Sequence, residues 1–312
     1  GYTTAVPDDV LETITPQWPA GTNAAYEFGG ETWGMMTKTD LKSIIWYNNA
    51  VFADNGYEIP DTWDGLKALS TQMIADGVTP WCVGIESGPA TGWTFTDWME
   101  DLVLRLVDEN VYDQWVAGEV PFSDPRIVGV AEEVLELWNT PGAVYAAGGS
   151  IAATPFGDNG GPLVEGTCAM HRQASFYAAF LPEGTVVGPD GDVNVAYFPA
   201  AGDGRTPVLT AGTAVVVFRD APEVWAVAEY MASGEGVTNR QRAQAARTGG
   251  ASGYLASNLD QDLSVYNDLE RSFVEILQTA SPARFDASDM MPGVVGAGTF
   301  WTGMVDYAGG KD

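Results

Sequence analysis

The chain alternates between short β-branched or aromatic runs and longer stretches with apolar residues three and four apart. Ser43-Ile44-Ile45-Trp46-Tyr47 predicts a buried strand. Asn48 and Asn49 end it, a helical piece follows over Ala50 to Asp54, and Asn55-Gly56 stop that piece. Pro60 holds its neighbour extended, and Asp61 or Thr62 caps a helix with apolar positions Trp63, Leu66, Leu69, Met73 and Ile74. Pro80 to Ile85 predicts a second buried strand, which ends in Glu86-Ser87-Gly88-Pro89. Thr96 or Asp97 is expected to cap a helix with the stripe Trp98, Leu102 and Leu106. After a break at Pro121 to Pro125, Arg126 to Asn139 repeats the helical spacing through Val130, Val134, Leu137 and Trp138.

Upstream, Tyr26 to Met36 predicts a hairpin turning on Gly29-Gly30. Downstream, Gly142 to Gly166 is glycine-rich and loop-like, with a short helix near Asp158 to Val164. Thr167 to Arg172 and Val193 to Phe198 predict strands, and Thr213 to Phe218 is the most strand-like run of all. Asp220 is expected to cap a helix that begins near Pro222 and carries Trp225, Ala228 and Met231. Leu263 to Gln278 and Met291 to Tyr307 complete the chain as helical, loop-rich stretches. Helices alternating with strands predict an α/β layer fold. With 312 residues, the chain has room for two lobes.

The formal charge of −28 repels nucleic acid and anionic membrane surfaces, but not a neutral ligand. Lys38, Lys42, Lys67 and Lys311 are the only lysines, which fits either a salty habitat or a genome that favours Arg over Lys. No apolar stretch reaches the roughly 18 residues of a membrane-spanning helix. The opening GYTTAVPDDVLETITPQW lacks a basic n-region and an apolar h-region, so it does not read as a signal peptide. That leaves a cytoplasmic protein, or one whose upstream export segment has been removed. Cys82 and Cys168 with one histidine, His171, are too few for an ordinary structural zinc site, and no metal or cofactor is expected. Both cysteines lie in strand-like runs, which allows either a disulfide or two separate buried thiols.

The P-loop, zincin, nucleophile-elbow and dinucleotide-binding motifs are absent. A Ser-His-Asp triad would have to run through His171, which reads as a structural hydrogen-bonding residue at a strand end. Asp286 and Asp289 are three apart near a helix start, where capping is the expected role rather than a glycosidase pair. Aromatic residues recur at loop and strand ends beside small polar residues. Trp93 lies beyond Glu86-Ser87-Gly88, Phe176 beyond His171-Arg172-Gln173, and Trp301 beyond Gly296-Ala297-Gly298. Sugars are bound this way: a ring covers the C–H side of the pyranose while carboxylates, amides and arginines take the hydroxyls. Any one of these rings would also fit core packing.

Five segments carry a resemblance to a known family. They are Lys42 to Asn48, Tyr57 to Trp63, Thr79 to Gly88, Met170 to Phe176 and Arg284 to Gly293. Spread over nearly the whole chain and in family order, they resemble the substrate-binding proteins of bacterial carbohydrate ABC importers, the maltose-binding-like group, and most of all its α-glucoside binders. The resemblance implies a two-lobed periplasmic-binding-protein fold (type II-like) with a sugar held in the cleft as one lobe closes on the other. It implies a monomer outside the cytoplasm, periplasmic or lipid-anchored, that takes a neutral mono- or oligosaccharide to ABC permease subunits. No reaction is catalysed in that reading; a carbohydrate-active enzyme with an aromatic-lined cleft is the alternative. The ligand residues it implies are Glu86, Ser87, Trp93, Arg172, Phe176, Gly212 and Trp301, and it implies that Cys82 and Cys168 pair across neighbouring strands.

The same resemblance divides the chain. Residues 1–41 and 213–256 are expected to be a remnant of lobe one. Residues 42–48, 207–212 and about 257–262 are the crossings, and 49–206 with 263–312 form lobe two. The start of the chain resembles late lobe one, which implies a fragment whose first lobe is incomplete. Such a fragment alone is expected to be less soluble and to bind sugar weakly or not at all.

Overall fold

Ile44–Asn48 lies second from one edge of a five-stranded sheet in a computed structural model that describes residues 2–200, 202–248 and 251–311. By its packing the chain divides into Gly1–Leu41 with Thr210–Ala280, and Lys42–Leu209 with Ser281–Asp312. In the second unit the strand order is Val144–Tyr145, Trp81–Cys82, Met170–Arg172, Ile44–Asn48, Val193–Tyr197. Ile44–Asn48 runs antiparallel to both neighbours, with Trp46 opposite His171 and Val195. Trp81–Cys82 runs parallel to its two neighbours. Cys82 and Cys168 form a disulfide, with Cα atoms 5.4 Å apart.

The elbow after Ile44–Asn48 follows its sequence signals. Asn48 accepts the N–H of Val51 and caps Asn49–Asn55, and Gly56 ends that helix in the left-handed region. Thr62 accepts the N–H of Gly65 and caps Trp63–Ala75, which buries Trp63, Leu66, Leu69 and Met73. Trp63–Ala75, Trp93–Leu102 and Pro125–Asn139 contribute to one apolar core, where Trp81, Trp98 and Trp138 meet edge to face.

Three local expectations are corrected. Thr96 and Asp97 do not cap a helix: it begins at Trp93, after Gly92 at φ 110°, so both lie buried inside it. Thr213 to Phe218 is not a single strand. The strand is Val208–Val215, paired with Met35–Leu41 from Thr210 to Val215, and Phe218 lies outside it, exposed. Asp220 does not cap Pro222–Ala232 but accepts the indole N–H of Trp225.

The first unit holds Met35–Leu41 and the part of Val208–Val215 from Thr210 on, which pair antiparallel from Met35 opposite Val215 to Leu41 opposite Thr210. The helices Asp8–Ile14, Pro222–Ala232, Gly234–Thr248 and Asp268–Thr279 belong to it. Here the division differs from the expected crossing at about 257–262, since the chain leaves this unit only after Ala280. The cause is Glu270. Its carboxylate is buried and accepts the backbone N–H groups of Ser252 and Gly253 at 2.7 and 3.1 Å, which ties Asp268–Thr279 to this unit.

Candidate functional site

Lys42, the first residue of the second unit, enters a buried charge cluster. Its ammonium donates to Asp97 at 2.7 Å and to Asp286. The spacing of Asp97, Glu100 and Asp101 puts three carboxylates on one face of Trp93–Leu102. Arg172 donates to Asp101 at 2.8 Å and faces Asp97 at 3.4 Å. Arg105 pairs with Asp101 and also holds the carbonyls of Phe198, Pro199 and Pro207. Glu100 accepts the N–H groups of Ala287 and Ser288 at 2.9 and 3.2 Å.

Three cations thus face four carboxylates out of water. Burial, with the charges of Asp286 and Asp97, pushes Glu100 well above the usual carboxylate range. Burial raises Asp97 to about 7, against the pull of Lys42 and Arg172. Burial also works to raise Asp286, but the Lys42 charge and the bonds from Lys42 and Ser288 outweigh it and hold Asp286 below its ordinary value. Oxygens of Asp97, Glu100 and Asp286 come within 4.8 Å of one another, a spacing that could hold a metal. The Lys42 ammonium, bonded to two of the three, already supplies the cation.

Beside this cluster lie the rings. Gly92 turns the chain so that Trp93 begins the helix, 5.0 Å from Phe156 and 6.1 Å from Phe176 between ring centroids. Phe180, 42% exposed, adds a ring 5.1 Å from Phe156. The Lys42 ammonium sits 5.6 Å from the Trp93 ring centroid. Trp301 donates its indole N–H to Ser288 Oγ at 3.2 Å, and Ser288 donates to Asp286 at 2.7 Å. Trp93, Phe156, Phe176 and Trp301 are each half-buried. Half-exposed rings beside acceptors can take the apolar side and the hydroxyls of a small polar ligand at once.

Five of the seven candidate residues belong to this connected group. Glu86 joins it through its backbone, whose carbonyl accepts the N–H of Phe156 at 3.1 Å, while its carboxylate accepts the N–H of Gly88 at 2.6 Å. Ser87 follows, its N–H donating to Thr91 Oγ1 at 3.0 Å. Trp93, Phe176 and Trp301 supply rings. Arg172 does not present its guanidinium to a ligand: it is 3% exposed and engaged by Asp97 and Asp101. Gly212 lies in the first unit opposite Thr39, where a Cβ would sit 2.3 Å from the Lys38 carbonyl, so close strand packing accounts for the glycine. The structure adds Phe156 and Phe180 to the rings, and Lys42, Asp97, Asp286 and Ser288 to their support. Acids spaced i, i+3, i+4 within an otherwise apolar helix were the available signal for Asp97. A lone Phe in a glycine-rich loop gave little for Phe156.

Residues 2–238 match the family model described as bacterial extracellular solute-binding protein. The chain is 42% identical over 287 residues to the osmoprotective compounds-binding protein GgtB of Synechocystis sp., covering 91% of this chain and 66% of that protein. It is 40% identical over 297 residues to the alpha-glucosides-binding periplasmic protein AglE of Rhizobium meliloti, covering 93% of this chain and 61% of that protein. It therefore spans less than two thirds of the length of either relative. Among solved structures, a chitin oligosaccharide binding protein shares its fold with a TM-score of 0.77 at 18% identity, over 99% of this chain and 75% of that one. The α/β fold is that of periplasmic binding proteins, and the chain belongs to the bacterial extracellular solute-binding protein family, whose members bind rather than transform their ligands.

Proposed function

We propose that this chain serves as the receptor of an ABC importer and captures a neutral α-glucoside, or a glucosylated osmoprotectant of similar size, outside the cytoplasmic membrane. The observation that carries the reading is the group of half-exposed rings, Trp93, Phe156, Phe176 and Trp301, beside Glu86 and Ser87. The names of the two relatives support the ligand class. Capture is reversible, by stacking on C–H faces and hydrogen bonding to hydroxyls. The carboxylates nearest the rings are already committed to Lys42 and Arg172, which suits them to support rather than to acid–base work. A charge of −28 leaves the approach of a neutral sugar unopposed. Delivery is to the membrane subunits of the permease.

Calorimetric titration of the natural full-length polypeptide with maltose, trehalose, sucrose and glucosylglycerol tests this. Saturable heat with one of them, lost in Trp93→Ala, is the expected result. Absence of heat with every sugar and polyol tried would overturn it.

A further inference from the structure

Two tryptophans of the ring group hang from one lysine. The Lys42 ammonium lies against the Trp93 ring at 5.6 Å and is bonded to Asp286. Asp286 accepts from Ser288 Oγ at 2.7 Å, and Ser288 Oγ accepts the Trp301 indole N–H at 3.2 Å. Every member but the indoles is buried. The main chain of Ser288 is fixed twice over. Its N–H donates to Glu100, and its carbonyl abuts Gly296, where a Cβ would fall 1.8 Å away. Ser288 is thus clamped between the charge cluster and the helical segment that leads to Trp301, and its hydroxyl joins Asp286 to the Trp301 indole. A hydroxyl so fixed sets the rotation of the indole about its own axis, and with it the plane offered to a ligand.

We propose that Ser288 is a positioning residue for ligand capture: through the Lys42–Asp286–Ser288 chain it fixes the plane of the Trp301 ring relative to Trp93. The proposal rests on the reading of the ring group as the sugar site. Ser288→Ala removes the hydroxyl and keeps the backbone bonds to Glu100 and the contact with Gly296. An alanine leaves the indole N–H without its acceptor, so the ring is held by packing alone.

The test uses Ser288→Ala, Ser288→Thr and Trp301→Phe in the full-length protein. The readouts are Kd by calorimetry, Tm, and acrylamide quenching of the fluorescence component that Trp301→Phe removes. In Ser288→Ala we expect Kd to rise about 3- to 10-fold, that component to become more accessible to quencher, and Tm to stay close to the wild-type value. Ser288→Thr, which restores a hydroxyl, should return both Kd and quenching towards wild type. Unchanged Kd and quenching in Ser288→Ala would overturn the proposal, as would a fall in Tm with Kd and quenching unchanged, the mark of a purely structural serine. If the wild type binds no sugar, the functional reading fails by itself, and the quenching comparison still decides whether Ser288 holds the ring.

Discussion

Gly92 faces the main chain of Trp301: a Cβ at Gly92 would stand 2.2 Å from the Trp301 carbonyl oxygen. This contact joins the start of the helix bearing Trp93 to the residue that supplies the second tryptophan. Gly92 also sits at φ 110°, a conformation side chains disfavour. Gly88, nearby at φ 57°, has nothing within 4 Å of its Cβ position. Gly88→Ala should therefore cost about 1 kcal/mol from backbone strain, and Gly92→Ala about 3 kcal/mol from strain and overlap together. Urea unfolding of both variants measures the difference. Equal, small losses would show that Gly92 and Trp301 are not in contact.

The ring contributed by the glycine-rich loop should matter for affinity. Phe156 stands 5.0 Å from Trp93 and 5.1 Å from Phe180, and deleting it removes one of the two rings beside Trp93, leaving Phe176. Phe156→Ala is expected to raise the sugar Kd about tenfold, the scale of one aromatic pair. Phe122 is the control. It is 38% exposed and packs on Trp115 and Phe300, not on Trp93, Phe156 or Phe176. Phe122→Ala should leave Kd unchanged in the same calorimetric assay. Equal effects from the two substitutions would mean that Phe156 acts through general stability.

The Cys82–Cys168 bond closes a loop with a sequence separation of 86. Restricting the unfolded chain over such a length stabilises the folded form, by about 2–4 kcal/mol in typical cases. A Cys82→Ser/Cys168→Ser variant should melt below wild type by a corresponding margin. Dithiothreitol should lower the wild-type Tm to that of the variant and leave the variant where it is. A variant as stable as oxidised wild type would show that the bond contributes nothing.

Much of the second unit was legible in the sequence, because local rules decide it. Asn48, Gly56 and Thr62 mark ends that backbone hydrogen bonding requires, and the structure places them at those ends. Asp286, expected to cap, accepts the N–H of Asp289 at 3.1 Å. What escaped was decided at long range. Asp97 looked like a cap because Asp usually is one; inside the helix it is tolerated because Lys42, 55 residues earlier, bonds to it and Arg172 faces it. The resemblance implied Arg172 as a ligand residue, and its ion pairs with Asp97 and Asp101, distant in sequence, were not legible in the motif that carries it. The strand near Val208 starts earlier than its composition indicated, because pairing with Met35–Leu41 carries it back to Thr210 and the Val208 N–H donates to the Pro282 carbonyl. The ring group was half legible: Trp93, Phe176 and Trp301 follow polar segments, while Phe156 joins them only through the folding of a loop.

His171 gives the protein a particular response to acid. The ring is buried in the second unit, with Nδ1 2.9 Å from the Cys82 carbonyl, so the neutral tautomer carries its proton on Nδ1. Nε2 has no hydrogen-bond partner among the described residues, and the ring lies 4.4 Å from that of Tyr177. Burial lowers its pKa from 6.5 to about 4, with the adjacent Arg172 charge acting in the same direction and the Cys82 bond opposing. The folded protein thus keeps this ring neutral down to about pH 4, while the unfolded chain takes up the proton near 6.5. The contribution of His171 is whole above pH 6.5 and is lost progressively as pH falls towards 4, by about 3 kcal/mol in all. His171→Asn can keep a donor towards the Cys82 carbonyl and cannot titrate. Its unfolding free energy should decline less than that of wild type between pH 6.5 and 4, and the two should run parallel above that window. Urea unfolding at intervals of pH measures both curves, and parallel curves throughout would show that His171 is not held neutral by its burial.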